Sequence, residues 1–405
     1  MARPHRGGRV PGEPGGAHRR PDRRHRGAPR LRRPSCTDRR PGACPVASCI
    51  TEKIRMVTTQ PPGGGTAEAN PPQAALIQMA NRYRLSQCIH AAARLGIADL
   101  LADGPRPVAD LAHAAGCHAG ALYRLLRALA GLAIFEEQQP GTFALTPLAR
   151  TLQSKVPGSL RASALVVGEE WHWRMWGELL FSLKTGRPAF TQLFGRDFAT
   201  YAAEHPEAGA LFNEAMESVF TLSDRAILDA YDFSRFQVVV DVGVAGGYGS
   251  LMRALLTRYP DLVGVLTDLP EAAPEAERRI ASAGLSGRCR VVAGGFFDPL
   301  PTGGDCYVYK NVIHDFDDDQ AGLLLGRCRE AIAPDGRVLL VEMVVGGPNQ
   351  PGMGKLVDIE ALIMTEGGRE RTEDEYRQLL ASSGFTLLGH IATRSPISIL
   401  EAAPA

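Results

Sequence analysis

From about residue 233 onward, apolar strands alternate with helical patterns, and this alternation constrains the fold more than any other feature of the chain. The predicted strands span 237–241, 263–267, 290–293, 305–309, 337–342, 385–391 and 396–400. Such an order predicts an α/β fold with a mainly parallel, doubly wound sheet, whose ligands bind at the carboxyl ends of the strands. Only a short turn separates the last two strands, which are therefore expected to form an antiparallel hairpin.

A glycine-dense turn follows the first of these strands. The strand ends in Asp241, and four glycines stand between residues 243 and 249, before a segment with helical spacing. Glycine lets a ligand approach the backbone closely, although this spacing does not match the dinucleotide pattern G-x-G-x-x-G. The second strand ends in Asp268, which is placed to hydrogen-bond the two hydroxyls of a ribose. Together these features predict a nucleoside-bearing ligand.

The front half of the chain is predicted to be helical. Residues 73–101 carry apolar side chains in a helical rhythm, and a helix with so much apolar surface often packs against a second subunit. Residues 108–146 follow as helix, turn, helix and short hairpin, a winged-helix pattern that also occurs in DNA-binding proteins. The second of these helices offers only Arg124 and Arg127 as basic residues, so a structural use is favoured over DNA binding.

The first 55 residues differ in composition from the rest of the chain. They hold fifteen Lys and Arg against four Asp and Glu, whereas residues 56–405 hold thirty against forty. This tail is crowded with Arg, Pro and Gly, cannot bury enough surface to offset its chain entropy, and is expected to be disordered. A start of translation at Met56 is favoured over a nucleic-acid arm or a transit segment as its explanation.

The remaining composition predicts a soluble, cytoplasmic protein without a structural metal. No apolar run approaches the ~18 residues that are needed to cross a bilayer. Beyond the tail, the cysteines are Cys88, Cys117, Cys289, Cys306 and Cys328. Their scattered spacing favours reduced thiols over a disulfide frame or a metal site.

Several further motifs follow the strands of the predicted sheet. They are Gly294-Gly295-Phe296-Phe297-Asp298 after the third strand, Lys310 and His314-Asp315 after the fourth, Glu342 at the end of the fifth, and Glu366-Gly367-Gly368-Arg369-Glu370-Arg371 further on. With the glycine turn and Asp268, their order resembles the S-adenosylmethionine-dependent small-molecule O-methyltransferases, which include plant caffeate-type and bacterial polyketide-tailoring enzymes. The resemblance covers nearly everything from residue 73 to residue 401.

The resemblance implies a helical N-terminal dimerisation domain, and hence a homodimer, followed by a Rossmann-like methyltransferase domain. The predicted segments are a tail and Pro/Gly linker over 1–72, a winged-helix-like dimerisation domain over 73–165, a helical connector contributing to the substrate pocket over 166–232, and the methyltransferase domain over 233–405. The implied partner is a hydroxylated small molecule, with no nucleic acid and no membrane.

The resemblance also implies roles for individual residues. His314 would be the general base, with Glu342 and Glu370 flanking its ring. The residues implied to bind S-adenosyl-L-methionine are Asp241, Gly243, Gly247, Asp268, Leu269, Gly295, Phe296, Phe297 and Lys310. Among them, Asp268 would bind the ribose and Phe296 would lie beside the adenine.

Two positions depart from the family's usual pattern. The first motif is usually Asp-x-Gly-Gly-Gly-x-Gly, and Val244 and Ala245 stand here as two extra residues inside the loop. The longer loop bears on how closely the backbone approaches the methionine end of the cofactor. Gly295 stands where the family often has Asp or Ser, so one hydrogen bond to adenine is in question.

The implied reaction explains why these residue types occur together. Methyl transfer from a sulfonium to a hydroxyl needs no metal, but a base must take the proton of the acceptor as its oxygen attacks. An imidazole that titrates near 6.5 does not ionise a phenol with a pKa near 10 beforehand. A carboxylate behind the ring stabilises the imidazolium that forms. We therefore expect methylation of a hydroxyl, with a phenol of an aromatic or polyketide-like molecule as the favoured acceptor.

Other interpretations stay open at this point. Taken alone, His314 reads as a capping or surface residue, Glu342 as a solvated strand end and Glu370 as part of a surface ion pair. Some relatives of this group bind the same cofactor without transferring its methyl group, in hydroxylation or decarboxylation. A winged-helix DNA-binding regulator is less favoured, and a dinucleotide-dependent dehydrogenase is the least favoured.

Overall fold

The computed structural model describes residues 71–243 and 247–405. The basic tail and most of the linker lie outside these residues, as do Val244 and Ala245 of the glycine turn. What the sequence predicts for them therefore stays a prediction. Within the described ranges, no helix is both long and apolar enough to cross a membrane.

The N-terminal region consists of short helices around a small sheet. Its elements are α1 (Pro72–Ala80), α2 (Tyr83–Arg94), α3 (Ile97–Leu100), β1 (Arg106–Pro107), α4 (Val108–Ala114), α5 (Ala119–Ala130), β2 (Phe135–Gln139), β3 (Thr142–Leu145) and α6 (Pro147–Arg150). The strands pair antiparallel in the order β1-β3-β2. Leu126, Phe135 and Phe143 lie in the buried core. The predicted order of helix, turn, helix and hairpin is therefore present.

The helical stretch predicted over 73–101 is divided into three helices. The Asn81 side chain donates to the carbonyl oxygen of Ile77 over 2.8 Å at the end of α1, and Gly96, with φ of 66°, separates α2 from α3. None of the α1 side chains is buried within the chain, and Leu76 and Met79 are 69% and 61% exposed. The first helix thus presents an apolar surface to the outside of this chain.

Six helices connect the N-terminal region to the large sheet. They are α7 (Arg161–Val166), α8 (Glu170–Gly177), α9 (Leu179–Thr185), α10 (Ala189–Phe194), α11 (Phe198–Glu204) and α12 (Pro206–Ala230). Trp171, Met175 and Phe190 form the centre of their buried core. The last and longest helix, α12, reaches the large sheet, because its Ile227 packs in the core of that sheet.

The large sheet confirms the predicted α/β class. Its elements are β4 (Val238–Val242), α13 (Ser250–Arg258), β5 (Val263–Asp268), α14 (Ala273–Ser282), β6 (Cys289–Ala293), β7 (Cys306–Lys310), α15 (Asp318–Ala331), β8 (Arg337–Glu342), α16 (Gly354–Met364), α17 (Glu373–Ser382), β9 (Phe385–Ala392) and β10 (Ser398–Pro404). The strand order is β6-β5-β4-β7-β8-β10-β9. Five strands run parallel, while β10 lies antiparallel to β8 and β9, as the predicted hairpin requires.

The order of the strands reverses at β4. The chain adds β5 and β6 on one side of β4 and then β7 and β8 on the other. Val239 and Val240 pack into cores on the two opposite faces, so the central strands are covered on both sides. Where the order of a doubly wound sheet reverses, the loops that leave the carboxyl ends diverge and form a crevice. This crevice is the place at which the predicted site residues are expected to meet.

Candidate active site

Two buried carboxylates stand at the carboxyl ends of β4 and β5. They belong to Asp241 and Asp268. Burial raises the pKa of each to about 7, and for Asp241 the nearby charge of Lys310 opposes this rise. The main-chain amide of Leu269 donates to Oδ1 of Asp268 over 2.9 Å. No described residue donates a hydrogen bond to its other oxygen, so Asp268 keeps an acceptor available to a ligand.

Two glycines in the turn before α13 are required by the packing of this turn. Gly247 and Gly249 have φ of 91° and 70°, a conformation that side chains rarely adopt. A Cβ atom on Gly247 would stand 2.9 Å from the ring of Phe220, and one on Gly249 would stand 2.5 Å from Leu266. Gly243 differs, because a Cβ atom there would make only ordinary contacts. Packing against described residues therefore does not explain why position 243 is glycine.

A small cavity of about 70 Å³ lies at the ends of β4, β5 and β6. Its wall includes Val242, Thr267, Gly294, Gly295 and Asp298. The amide of Gly295 donates to Oδ2 of Asp298 over 2.7 Å, and this oxygen lies 3.4 Å from the position of a Cβ atom on Gly295. The fold therefore brings a carboxylate to the place where position 295 lacks a polar side chain, which the sequence analysis did not anticipate.

Phe296 and Phe297 connect the loop after β6 with the loop after β7. Both rings pack edge-on against Phe316, with centroid distances of 4.9 and 5.7 Å. Phe316 lies two residues after His314, so this aromatic group joins the cavity at the end of β6 to the segment that carries the histidine.

Lys310 is held by a residue that the sequence analysis missed. Its ammonium group donates to Oδ1 of Asp224 and, over 3.1 Å, to the carbonyl oxygen of Phe220. Burial lowers the pKa of Lys310, whereas the carboxylates of Asp224 and Asp241 oppose this fall. Asp224 lies on the buried side of α12, near Ile227. A charged residue on the apolar face of a predicted helix was the available signal in the sequence.

His314 lies in a 3-10 turn, Ile313–Asp315, directly after β7. Its Nδ1 is 2.8 Å from Oε1 of Glu370 and 3.7 Å from Oε2 of Glu342. Its Nε2 is 3.6 Å from Oδ1 of Asp315, a residue that was not predicted as part of the site. The imidazole is 20% exposed, whereas both glutamate side chains are fully buried. The fold thus brings the three predicted catalytic residues together.

Glu342 supports the backbone of the turn as well as the imidazole. Its Oε1 accepts hydrogen bonds from the amides of Val312 and Ile313, over 3.1 and 2.9 Å. Among the described residues, nothing donates to Oε2 of Glu342 or to Oε2 of Glu370. Buried carboxylate oxygens without donors favour a positive charge beside them. The imidazole of His314 is the nearby group that supplies this charge when protonated.

The surrounding carboxylates set the basicity of the histidine. Burial by itself would lower the pKa of His314, but Asp315, Glu342 and Glu370 raise it to about 10. Burial raises the pKa of Glu342 to about 7, and the charge of His314 opposes that rise. The protonated imidazole is therefore favoured near neutral pH, and its neutral form is an unusually strong base.

Within residues 71–243 and 247–405, His314, Glu342 and Glu370 also form the group whose ligand atoms lie close enough to hold a metal ion, within 4.8 Å of one another. Their existing hydrogen bonds compete with that use. Glu370 engages Nδ1 of the histidine, and Oε1 of Glu342 accepts two main-chain amides. The geometry favours a hydrogen-bonded pair of His314 and Glu370 with the charge of Glu342 nearby.

Gly368 lets the segment that carries Glu370 approach the histidine. A Cβ atom on Gly368 would stand 2.1 Å from Oγ1 of Thr365 and 2.9 Å from the carbonyl oxygen of His314. Two residues later, the amide of Glu370 donates to Oδ1 of Asp358 in α16 over 3.0 Å. The carboxylate of Glu370 is therefore positioned by the missing side chain at Gly368 and by the main-chain hydrogen bond to Asp358.

A larger cavity, of about 850 Å³, opens among α8, α10, α11 and α12. Its lining includes Trp171, Phe194 and Tyr201, with Arg94 and Glu169 nearby. None of the predicted site residues lines it. We place the candidate active site at the carboxyl ends of the parallel strands instead, because the buried charges and the histidine lie at these ends.

The sequence and the fold match proteins of known activity. A model of the O-methyltransferase domain matches residues 176–386, and one of the O-methyltransferase dimerisation domain matches residues 77–155. The phenazine O-methyltransferase of Lysobacter antibioticus is 42% identical, over 84% of this chain and 98% of that protein. The chain belongs to the O-methyltransferase family.

Two further proteins extend this comparison. The mitomycin biosynthesis 6-O-methyltransferase of Streptomyces lavendulae is 37% identical, over 78% of this chain and 90% of that protein. Human N-acetylserotonin methyltransferase, solved with S-adenosylmethionine, superposes with a TM-score of 0.76 at 28% identity, over 84% of this chain and 100% of that one. This O-methyltransferase has the class I methyltransferase fold, and its cofactor is S-adenosylmethionine.

Some relatives, 36% and 37% identical, are named N-methyltransferases instead.

Gly368→Ala is expected to destabilise this O-methyltransferase. The added methyl group overlaps Thr365 and the carbonyl oxygen of His314, so the free energy of unfolding in urea should fall by about 1–3 kcal/mol. Gly326→Ala in α15 is the matched control, because its Cβ position has no described atom within 4 Å apart from the backbone of its own helix and its two chain neighbours. Alanine there should leave stability unchanged or raise it by up to about 1 kcal/mol. Equal unfolding free energies for the two variants would contradict the close packing at Gly368.

Proposed function

We propose that the protein transfers the methyl group of S-adenosylmethionine to a phenolic hydroxyl of an aromatic or polyketide-like small molecule, with His314 as general base. The observation that carries this proposal is the 2.8 Å bond between Nδ1 of His314 and Glu370. A carboxylate at this distance holds the proton of the neutral ring on Nδ1. The lone pair of Nε2 is then available to take the proton of the acceptor.

The raised basicity of His314 supports a phenolic acceptor. Proton transfer between a base and an acid of similar pKa has little uphill cost, and a phenol has a pKa near 10. Asp315, Glu342 and Glu370 raise the pKa of His314 to about 10, and thus match the base to such an acceptor. The same carboxylates stabilise the imidazolium that forms when the proton is transferred. The cost is that only a small share of the histidine is neutral near neutral pH.

The cofactor is proposed to bind along the ends of β4, β5 and β6. When bound, it supplies a methyl group on a positively charged sulfur. Asp268 would accept hydrogen bonds from the ribose through its free oxygen, with Leu269 fixed beside it. The small cavity lined by Gly295, with Phe296 next in the chain, would take part of the adenine, and Asp298 would provide the polar partner there.

The remaining predicted cofactor residues are proposed to serve the amino-acid end. Gly243 has no packing reason among the described residues to be glycine, which supports a close approach of the cofactor to its backbone. Gly247 shapes the turn, and Phe297 closes the aromatic group near the adenine. Lys310 and Asp241 would set the charge of this end of the crevice, since they lie buried beside each other.

A nitrogen acceptor is the second candidate. Some relatives are named N-methyltransferases, which shows that this family includes such chemistry. A base next to the acceptor serves both reactions, because an aromatic amine also loses a proton on methylation. The two acceptors can be distinguished with a panel of substrates in which each phenol is paired with the corresponding aromatic amine.

We also propose a cytoplasmic homodimer that contacts neither DNA nor membranes. The exposed side chains of Ile77 and Met79 in α1 lie within the part of the chain that matches the dimerisation domain, and the exposed Leu76 directly precedes it. Burying them against a second copy would remove apolar surface from water.

His314→Ala is expected to lower methyl transfer by about 10²–10⁴-fold, the usual contribution of a general base. Labelled S-adenosylmethionine and a panel of phenols and aromatic amines would report the rate, and calorimetry should find nearly unchanged cofactor affinity. His390→Ala is the matched control, because His390 also lies 2.9 Å from a carboxylate, that of Glu373, but outside the crevice. If neither variant lost methyl transfer, His314 would not be the base. If the label appeared on the amines alone, the acceptor would be an amine and not a phenol.

The rate is expected to rise with pH into the alkaline range. Only neutral imidazole accepts a proton, and the raised pKa of His314 means that its neutral fraction grows as pH increases. Glu342→Gln removes one of the charges that raise this pKa, so the acid limb of the rate profile should move to lower pH. Single-turnover rates from about pH 6 to pH 10, with two phenols of different pKa, would test this. If the midpoint of the acid limb changed with the pKa of the phenol but not with Glu342→Gln, the assignment of this limb to His314 would be contradicted.

Asp268→Ala is expected to weaken cofactor binding. Losing hydrogen bonds to a charged acceptor costs about 1.5–3 kcal/mol, which corresponds to roughly 10- to 200-fold in affinity. S-adenosylhomocysteine, titrated in a calorimeter, would measure the change. Asp261→Ala, at an exposed position just before β5, is the control and should bind as the unaltered protein does. If both variants bound S-adenosylhomocysteine with equal affinity, Asp268 would not be the residue that binds the ribose.

A further inference from the structure

Arg371 is a fully buried cation beside the turn that carries His314. Its guanidinium donates to the carbonyl oxygens of Ile313 and Phe316, over 3.1 and 2.7 Å. Its Nε and one terminal nitrogen both donate to Oδ1 of Asp318, over 3.0 and 2.8 Å. One planar group therefore holds the backbone on both sides of the histidine.

The main chain of Arg371 is tied to the extension of β8. The amide of Val345 donates to the carbonyl oxygen of Arg371 over 2.9 Å, only three residues after Glu342. Glu370 directly precedes Arg371. A single residue thus connects the turn of the histidine, the strand of one carboxylate and the segment of the other.

We infer that Arg371 is a positioning residue, which sets the distance between His314 and its two carboxylates. This inference rests on the proposed role of the histidine as base. Arginine suits the position because its rigid fork presents five N–H donors in one plane. A lysine would keep the charge but has a single nitrogen, which cannot reach both carbonyl oxygens and Asp318 together.

The consequence for catalysis follows from the sensitivity of proton transfer to geometry. The bond between Nδ1 of His314 and Glu370 is 2.8 Å long, and both partners belong to segments that Arg371 holds. A displacement of about 1 Å in a catalytic group can cost on the order of 10²-fold in rate. The effect of replacing Arg371 should therefore act through the histidine.

The test is a double-mutant cycle between Arg371→Lys and His314→Ala. With His314 present, Arg371→Lys should lower the single-turnover rate by roughly 10- to 100-fold, while the affinity for S-adenosylhomocysteine changes less than about twofold. In the His314→Ala background, the same substitution should change the residual rate by less than about twofold. Equal losses in the two backgrounds, or no loss with His314 present, would overturn the inference.

Arg369→Lys is the matched control for this cycle. Arg369 also donates to Asp318, over 2.7 Å to Oδ2, but its side chain is 41% exposed and donates to neither Ile313 nor Phe316. This variant should keep the rate within about twofold. If it lost as much activity as Arg371→Lys, the shared Asp318 would be responsible, and the role of Arg371 would be refuted.

A second variant and a second readout keep the inference testable. Should Arg371→Lys not fold, Asp318→Asn weakens the partner that aims the guanidinium. This substitution should lower the rate more than Arg369→Lys does, and only when His314 is present. NMR of ¹⁵N-labelled histidine should show that the Nδ1 signal of His314 moves in Arg371→Lys but not in Arg369→Lys. If His314→Ala itself kept full activity, the proposed role of His314 as base would be wrong. The Nδ1 signal alone would then test whether Arg371 positions the imidazole. An unmoved signal would then overturn the inference.

Discussion

The structure of the candidate active site depends on an imidazole, 20% exposed, beside two buried glutamates. A charge removed from water is strongly destabilising unless it is paired and hydrogen-bonded. His314 has Glu370 at 2.8 Å and Glu342 at 3.7 Å, and the second oxygens of both glutamates find no donor among the described residues. His314 is tolerated in its partly buried position because Glu370 and Glu342 lie beside it, and the charge of the protonated imidazole offsets the repulsion between these two buried carboxylates. This mutual dependence fixes where the turn, the end of β8 and the segment around Glu370 lie.

The same rule applies on the cofactor side of the crevice. Lys310 at the end of β7 is paired with Asp224 of α12, and Asp241 of β4 contributes to the same charge balance. Because Asp224 belongs to a helix that precedes the sheet in sequence, this pair attaches α12 to the carboxyl ends of the strands. Lys310 with Asp224, and His314 with its two glutamates, thus form two charge clusters at the carboxyl ends of β7 and β8.

The fold itself was largely predictable from the sequence. Strands such as 263–268 and 337–342 are short, continuous apolar runs, and the segments between them show the helical period of 3.6, a contrast that is visible without coordinates. Asp268 and His314 were predicted for a related reason, since both follow strands and the ends of parallel strands share one edge of the sheet. Helix breaks were less predictable. The division of 73–101 depends on the side-chain cap at Asn81 and on the left-handed Gly96.

Residues that act through distant partners were not predictable in this way. The role of each such residue depends on a neighbour in space that the periodicity of the sequence does not reveal. Examples are Asp298 beside Gly295, Asp224 beside Lys310 and Arg371 beside the turn that carries His314.

Local patterns in the chain specify the order of the elements, the end of the strands at which ligands are expected and the residue types available for chemistry. The approach of His314 to Glu370, 56 positions away, to within hydrogen-bonding distance is a property of the folded chain alone. The physical reason is that periodicity and turn residues are local properties of a chain. The pairing of buried charges, by contrast, depends on which segments the closed fold brings together.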